Sequence, residues 1–222
     1  MFVVPRRFNQ NAGDVQAIGP AAETGKMLLE HLAERLRLRS LESLDILDFG
    51  CGSRFADAIA NLNIPLRSYI GVDTNKEMID YLTEHVPDKR LSFFYFNSFN
   101  YAYNRNGALL TTGSSLPIGA QTFDVICMFS VLTHQVPEDS LYILKMLRKY
   151  VRRSGSLFFT AKIRADIEYY HEEIPDRPCM FSAYSLELLA KLIRLSNWCI
   201  KTMEPSSPQG LPMDDSFLCA PL

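Results

Sequence analysis

The sequence predicts a doubly wound α/β fold whose mainly parallel sheet is covered by helices on both faces. The expectation rests on three observations. Short, continuously apolar runs alternate with stretches of helical periodicity along most of the chain, the pattern of strands buried on both faces. The first such run ends in a glycine turn holding Gly50 and Gly52, where a strand hands over to a helix and the backbone can pass close to a ligand. The second run ends in an acid, Asp73 of Gly71-Val72-Asp73.

The elements follow in order. Residues 1–19 carry Pro, Asn, Gln and Gly without clear periodicity and read as an irregular lead-in. From Ala21 to Leu38 the apolar positions Met27, Leu28, Leu32 and Leu36 recur at helical spacing. Arg35, Arg37 and Arg39 crowd the end of that helix, where cations suit its dipole. Leu44 to Phe49 is a buried strand, Arg54 to Leu62 a helix, Arg67 to Val72 the second strand and Glu77 to Val86 a helix. Leu91 to Phe96 is a third strand, dense in aromatics. Residues 97–121 lack a period and are broken by Gly107, Gly113, Pro117 and Gly119. So long an irregular stretch in a compact domain is functional, ordered by short hidden elements, or both.

Phe123 to Phe129 is the fourth strand. Leu141 to Val151 reads as a helix whose basic run, Lys145, Arg148, Lys149, Arg152 and Arg153, is a solvated terminus matched to the dipole. Ser156 to Ile163 is the fifth strand, followed by a polar, aromatic segment from Asp166 to Ser182. A helix from Ser185 to Leu195 and strands at Trp198 to Met203 and Ser216 to Ala220 close the chain. With no repeats or low-complexity tracts, residues 1–222 read as one domain, 1–40 an extension with its helix and 41–222 the core.

Composition narrows the function. A net charge of −2, from 23 Lys+Arg against 25 Asp+Glu, gives no general electrostatic grip on nucleic acid. Cys51, Cys127, Cys179, Cys199 and Cys219 are odd in number and scattered, so neither a disulfide framework nor a zinc site is read from them. Glu138 and Asp139 near His134 lack the further ligands a metal demands, and no metal is expected. The N-terminus has no apolar stretch after its basic start and no run is long enough to span a membrane. A cytoplasmic protein is the expectation.

The most informative constellation is Asp48-Phe49-Gly50-Cys51-Gly52-Ser53-Arg54 followed by Asp73. The helix after the turn offers free N–H groups to a polar or anionic ligand. An acid closing the next strand can accept from both ribose hydroxyls of an adenosine. Together they point to an adenosine-containing cofactor. A nicotinamide dinucleotide usually meets G-x-G-x-x-G, and here Phe55 stands at the third glycine's place.

Over roughly residues 40–222 the chain resembles the class I S-adenosylmethionine-dependent methyltransferases (type 11/12-like). The resemblance rests on Asp48 to Gly52, on Gly71-Val72-Asp73 with Met78-Ile79, and on Leu116-Pro117 leading to Phe123-Asp124-Val125-Ile126. Ser130-Val131-Leu132-Thr133-His134 follows. It implies a Rossmann-like methyltransferase fold with seven strands, the last antiparallel, and S-adenosyl-L-methionine as cofactor. It further implies that Gly50, Cys51 and Gly52 make room for the cofactor's methionine end. Asp48 would position the ammonium group, Asp73 would hold the ribose, and Thr74 would flank it. Asn97 and Ser98 would meet the adenine, with Phe129 and Ser130 closing the site from the fourth strand.

Two departures stand out: Arg54 occupies the place of the family's usual third glycine, and Asn97 stands where an Asp is common. A first helical residue can send a long side chain to solvent, so Arg54 is expected to point outward. His134 is the candidate general base, with a structural strand-end histidine as the competing reading. Tyr169, Tyr170 and His171 either shape an acceptor pocket or form an amphipathic helix packed on the body.

The acceptor is expected to be a small molecule or glycan, methylated on oxygen or nitrogen. Tyr103-Asn104-Arg105-Asn106-Gly107 with Ser130 to His134 resembles a bacterial subgroup associated with glycan biosynthesis. Two alternatives stay open: an inactive cofactor-binding module that works through a partner protein, and transfer to RNA or protein. The oligomeric state is not read from the sequence.

Overall fold

The computed structural model describes residues 2–9, 20–174, 176–206 and 214–222. Its sheet contains β1 (Asp45–Phe49), β2 (Ser68–Asp73), β3 (Leu91–Tyr95), β4 (Phe123–Met128) and β5 (Val151–Ile163). A short pair, β6 (Tyr170–Glu172) and β7 (Ser182–Tyr184), precedes β8 (Trp198–Glu204) and β9 (Asp215–Pro221). The helices are α1 (Ala21–Arg35), α2 (Arg54–Leu62), α3 (Lys76–His85), α4 (Pro137–Leu147) and α5 (Leu186–Leu195).

The main sheet runs β3-β2-β1-β4-β5-β9-β8. Strands β1 to β5 are mutually parallel, and β9 lies antiparallel to both β5 and β8. The expected seven strands and reversed last strand are therefore present, with an added hairpin. Strand β5 outruns β9, and its far end takes β7 as a parallel neighbour through Lys162 and Ile163.

Alternation along the strands builds two cores. Ile46, Tyr69, Val125, Cys127 and Phe158 pack beneath α1, α2 and α3. Leu47, Ile70, Val72, Ile126, Met128, Leu157 and Phe159 face α4 and α5. Buried Leu29 and Leu32 of α1, Phe55 and Ile59 of α2, and Leu82 of α3 supply one layer; Leu144 and Leu147 of α4 and Leu189 and Ile193 of α5 supply the other. Asn75 caps α3 by accepting from Met78 N–H at 3.1 Å, and Ser185 caps α5 by accepting from Leu188 N–H at 3.2 Å.

Several boundaries differ from expectation. The helix read at Leu141–Val151 is α4, shifted toward the N-terminus: Pro137 suits its first turn, and Glu138 and Asp139 complement its dipole there. Val151 instead opens β5 opposite Phe123. Arg152 is thus a strand residue, reaching Asp45 at 2.6 Å and Asp124 at 2.5 Å. Arg67 joins the same two acids at 2.5 and 2.8 Å. The basic run is therefore in part a clamp at the N-terminal ends of β1 and β4, not a solvated helix end. Helix α1 stops at Arg35, and Arg37 turns left-handed. Of the lead-in, Phe2 and Phe8 are buried, and Phe2 exchanges two hydrogen bonds with Asn61; residues 10–19 lie outside the described residues.

The segment 167–173, for which a packed amphipathic helix is one of two readings, forms no helix and contains strand β6. Tyr170 stands opposite Tyr184 across the hairpin, its ring 5.5 Å from the partner's and its hydroxyl 2.9 Å from Ser182 Oγ. Adjacent aromatics on a two-stranded ribbon favour pairing over helix formation.

Tyr184 couples this hairpin to the end of β4. Its buried hydroxyl donates to the Gln135 carbonyl at 2.6 Å and lies 2.8 Å from Ser140 Oγ. Removing the hydroxyl leaves a buried carbonyl short of its donor. Tyr184→Phe should lower unfolding free energy by about 1–3 kcal/mol, read by urea titration, with an unchanged far-ultraviolet spectrum. A stability equal to that of the native chain would show that the junction depends on apolar packing alone.

Candidate active site

The site begins with a backbone problem at the end of β1. The chain must leave the strand, turn sharply and start α2 within a few residues. Gly50 adopts φ +75°, and a Cβ there would stand 2.4 Å from Val131 Cγ2, so no larger residue fits. Gly50 and Cys51 both donate their N–H to the Val72 carbonyl, at 2.7 and 3.1 Å. The turn is thereby fastened to the neighbouring strand. Gly52 adopts φ +52°, and nothing lies within 4 Å of where its Cβ would be. That open space is where a ligand can approach the backbone.

Asp73, closing β2, completes the turn. One carboxylate oxygen accepts from Gly52 N–H at 3.0 Å and the other from Asn75 N–H at 2.9 Å. Burial raises its pKa, against those backbone donors. Asp48 is 3% exposed and accepts from Tyr69 hydroxyl at 2.8 Å. Burial pushes its carboxyl up to about 7, opposed by the Tyr69 bond and helped by the negative charge of Asp73. Burial likewise raises the Cys51 thiol, which lies close to both acids, so it is no nucleophile.

These groups open onto one cavity of about 260 Å³. Asp48, Gly50, Cys51, Gly52, Asp73 and Thr74 line it from β1 and β2; Ser98, Phe129, Ser130 and His134 line it from beyond β3 and β4. Asn97 does not: it is exposed, and its amide oxygen accepts from Tyr95 hydroxyl at 2.8 Å. Tyr169, Tyr170 and His171 also lie outside the lining, and Tyr169 is 62% exposed.

Arg54 departs from the outward course expected of it. It lines the cavity, its Nε is buried without a hydrogen-bond partner, and burial pushes its guanidinium down to about 10.

His134 is assembled from four separate pieces of chain. Ser130 takes a left-handed conformation at φ 55°, held by its N–H on Thr160 Oγ1 at 2.8 Å. A single 3₁₀ turn, Leu132–His134, then carries the imidazole. Asn100 donates to the His134 carbonyl at 2.9 Å, while its own amide oxygen accepts from Ala102 and Tyr103 N–H. That Asx turn sets Tyr103 on the imidazole, hydroxyl to Nε2 at 3.2 Å and rings at 88°. On the far side, Nδ1 lies 3.2 Å from the Cys179 carbonyl, and the Phe181 ring is 6.0 Å away.

A carbonyl can only accept, so Nδ1 carries the proton and Nε2 keeps its lone pair. Burial lowers the pKa of His134 from its ordinary 6.5. The imidazole is therefore neutral near pH 7, with its basic nitrogen toward Tyr103.

Sequence reasoning missed Phe8, Thr24, Leu28, Asn100 and Tyr103, all of which line the cavity. Only the Asn100-x-x-Tyr103 spacing of an Asx turn offered a local signal. The hairpin after β5 contributes through its loop, which delivers the Cys179 carbonyl and Phe181 to His134.

Because burial lifts the folded pKa of Asp48 above its ordinary 3.8 to about 7, the stability it contributes is present in acid and lost as pH rises through that value. Asp48→Asn mimics the protonated acid. The variant and the native chain should melt within about 2 °C of each other near pH 4, the gap should open as pH rises toward 7, and the variant should melt several degrees higher near pH 8.5. Equal melting temperatures at both pH values would mean that the fold leaves the Asp48 carboxyl at its ordinary pKa.

A family model described as a methyltransferase domain matches residues 47–159. Among solved structures, the chain is similar to the magnesium protoporphyrin IX methyltransferase of Synechocystis PCC 6803 with bound S-adenosylmethionine. The TM-score is 0.60 and the identity 13%, over 98% of this chain and 89% of that one. It is similar also to the 1,6-didemethyltoxoflavin-N1-methyltransferase of Burkholderia thailandensis, solved with 1,6-didemethyltoxoflavin and S-adenosylhomocysteine. There the TM-score is 0.62 and the identity 16%, over 94% and 81% of the two chains. An S-adenosylmethionine-dependent methyltransferase of Mesorhizobium loti matches with TM-score 0.58 at 14% identity, over 86% and 96%. At these identities the structural likeness is one of fold, and the family model adds the activity: this chain belongs to the class I methyltransferases, enzymes that use S-adenosylmethionine.

Proposed function

We propose that this methyltransferase modifies a hydroxyl or amine of a small-molecule or glycan acceptor, with His134 as general base. The observation that carries the reading is the state of the imidazole. Its Nδ1 is held on the Cys179 carbonyl, and its Nε2 lone pair is met only by the Tyr103 hydroxyl. An acceptor that displaces that hydroxyl finds a neutral base already oriented.

The cavity's polar groups fit S-adenosylmethionine. Open space over Gly52 admits the backbone approach of its amino-acid end, buried Asp48 is an acid suited to its ammonium, and Asp73 closes the strand where the ribose is expected. Thr74 and Ser98 would flank the nucleoside, with Phe129 and Ser130 beneath the sulfur. When bound, the cofactor supplies an electrophilic methyl group on a sulfonium. The protein's work is alignment, exclusion of water and removal of the acceptor's proton to His134 Nε2. The Tyr103 and Phe181 rings, 41% and 40% exposed, flank the imidazole and give a flat acceptor surfaces to pack on.

The net charge of −2 supports a small acceptor over a nucleic acid. The toxoflavin and protoporphyrin enzymes are named for planar small molecules. No described helix is long and apolar enough to cross a membrane.

Radiolabelled S-adenosylmethionine, offered with panels of hydroxylated and amino aromatics, nucleotide sugars, RNA and whole-cell protein, tests the acceptor class. Label is expected in the small-molecule or sugar fractions; label confined to RNA or protein would overturn the proposal. With an acceptor in hand, His134→Ala should lower kcat by roughly 100-fold or more while S-adenosylhomocysteine affinity changes by less than about twofold. The native kcat/KM should fall as pH drops below 6.5, since protonation of a base with a depressed pKa removes the lone pair. Loss of cofactor affinity in step with activity would make His134 a structural residue instead.

A further inference from the structure

The cavity contains a charge that nothing in the described protein answers. Of its lining side chains, Asp73 is held by two backbone donors and Asp48 by Tyr69. His134 is engaged on both ring nitrogens. Arg54 is the remaining ionisable group with a full charge, and among the described residues it makes no ion pair, while its Nε is buried and unbonded. Arg54 is half-buried, and an unpaired guanidinium whose Nε is shut off from water is disfavoured until a ligand completes it.

The surroundings say what that ligand carries. Arg54 is the first residue of α2, and no side chain caps this end of the helix. Ser53 has turned its hydroxyl to the Phe8 carbonyl at 3.2 Å, and Asp57 is taken by Asn61 at 2.6 Å. Free N–H groups and a guanidinium therefore address an anion at one side of the cavity. Buried Asp48 and half-buried Asp73 offer themselves to cations from β1 and β2. The cavity is thus dipolar, as a zwitterionic amino-acid group requires.

We propose that Arg54 binds the carboxylate of the cofactor's amino-acid end and makes this enzyme discriminate against adenosyl thioethers that lack it. The glycine usual at this place in the family has no side chain for the task, so the substitution adds a recognition element to the turn. The proposal rests on the cavity being the S-adenosylmethionine site. Its failure and the failure of that reading are separable by experiment.

The experiment is calorimetric titration of the full chain and of its Arg54→Gln and Arg54→Lys variants. One ligand is S-adenosylhomocysteine; the other is S-adenosyl-3-thiopropylamine, which keeps the ammonium and lacks the carboxylate. The native chain should prefer S-adenosylhomocysteine by about tenfold or more, the usual weight of a charge-assisted hydrogen bond. Arg54→Gln should cut that preference severalfold by weakening S-adenosylhomocysteine alone, the helix N–H groups keeping the remainder, with the thiopropylamine within about twofold of its native affinity. Arg54→Lys should fall between, since an ammonium keeps the charge but not the fork of donors. Equal weakening of both ligands by Arg54→Gln, or no weakening of either, would overturn the proposal. Failure of the native chain to bind S-adenosylhomocysteine would instead remove the cofactor reading of the cavity, and this proposal with it. Thermal melting of each variant confirms folding before titration.

Discussion

The carboxylate of Asp73 sits where two parallel strands end, and the geometry of the site hangs on it. One oxygen holds the Gly52 N–H and the other the Asn75 N–H, so the turn after β1 and the start of α3 are fixed to one rigid point. The Val72 carbonyl reinforces the join by accepting from Gly50 and Cys51. A turn with two positive φ angles has many alternatives in isolation. The three bonds that reach the turn from the neighbouring strand select one of them, and that choice sets the direction of α2 and the floor of the cavity.

The same acid makes the site electrostatically tense. Buried Asp48 and half-buried Asp73 lie close together, each with its ionisation disfavoured by desolvation, while Arg54 is disfavoured for the opposite charge. Groups held in such a state add little to folding stability and leave much of their interaction energy to a ligand. The clamp of Arg67 and Arg152 on Asp45 and Asp124 is the counterexample at the other end of the strands. There Arg67, with Ser68 and Arg152, holds the Asp45 carboxyl well below the ordinary carboxylate range. One end of the sheet is satisfied and stable, and the other is unsatisfied and open.

The wall opposite the glycine turn is built differently. It relies on long-range contacts: Asn100 from the loop after β3, Thr160 of β5, and the carbonyl of Cys179 and the hydroxyl of Tyr184 from the added hairpin. Each meets the segment between Ser130 and Gln135 through a single hydrogen bond or two. A wall made of loops on a fixed sheet is where relatives of one fold can diverge.

Local chemistry made the scaffold legible. Continuous apolar runs marked β1 to β4, the glycine pair and the acid after β2 marked the turn, and Asn75 and Ser185 stand at helix starts with the capping chemistry they show. The sequence could not give the boundary between α4 and β5, because Val151 and Arg152 suit either element until Phe123, Asp45 and Asp124 stand beside them. Nor could it separate helix from hairpin at Tyr169 and Tyr170, since that choice follows from the exposed far end of β5 and from Tyr184. The inward position of Arg54, the outward turn of Asn97 and the pairing of Tyr103 with His134 were likewise decided only in three dimensions. What the sequence by itself determined is the glycine turn with its acid, because its constraints act between residues close along the chain. What tertiary structure decided is the wall around His134, because its bonds join residues distant in sequence that meet only once the sheet has formed.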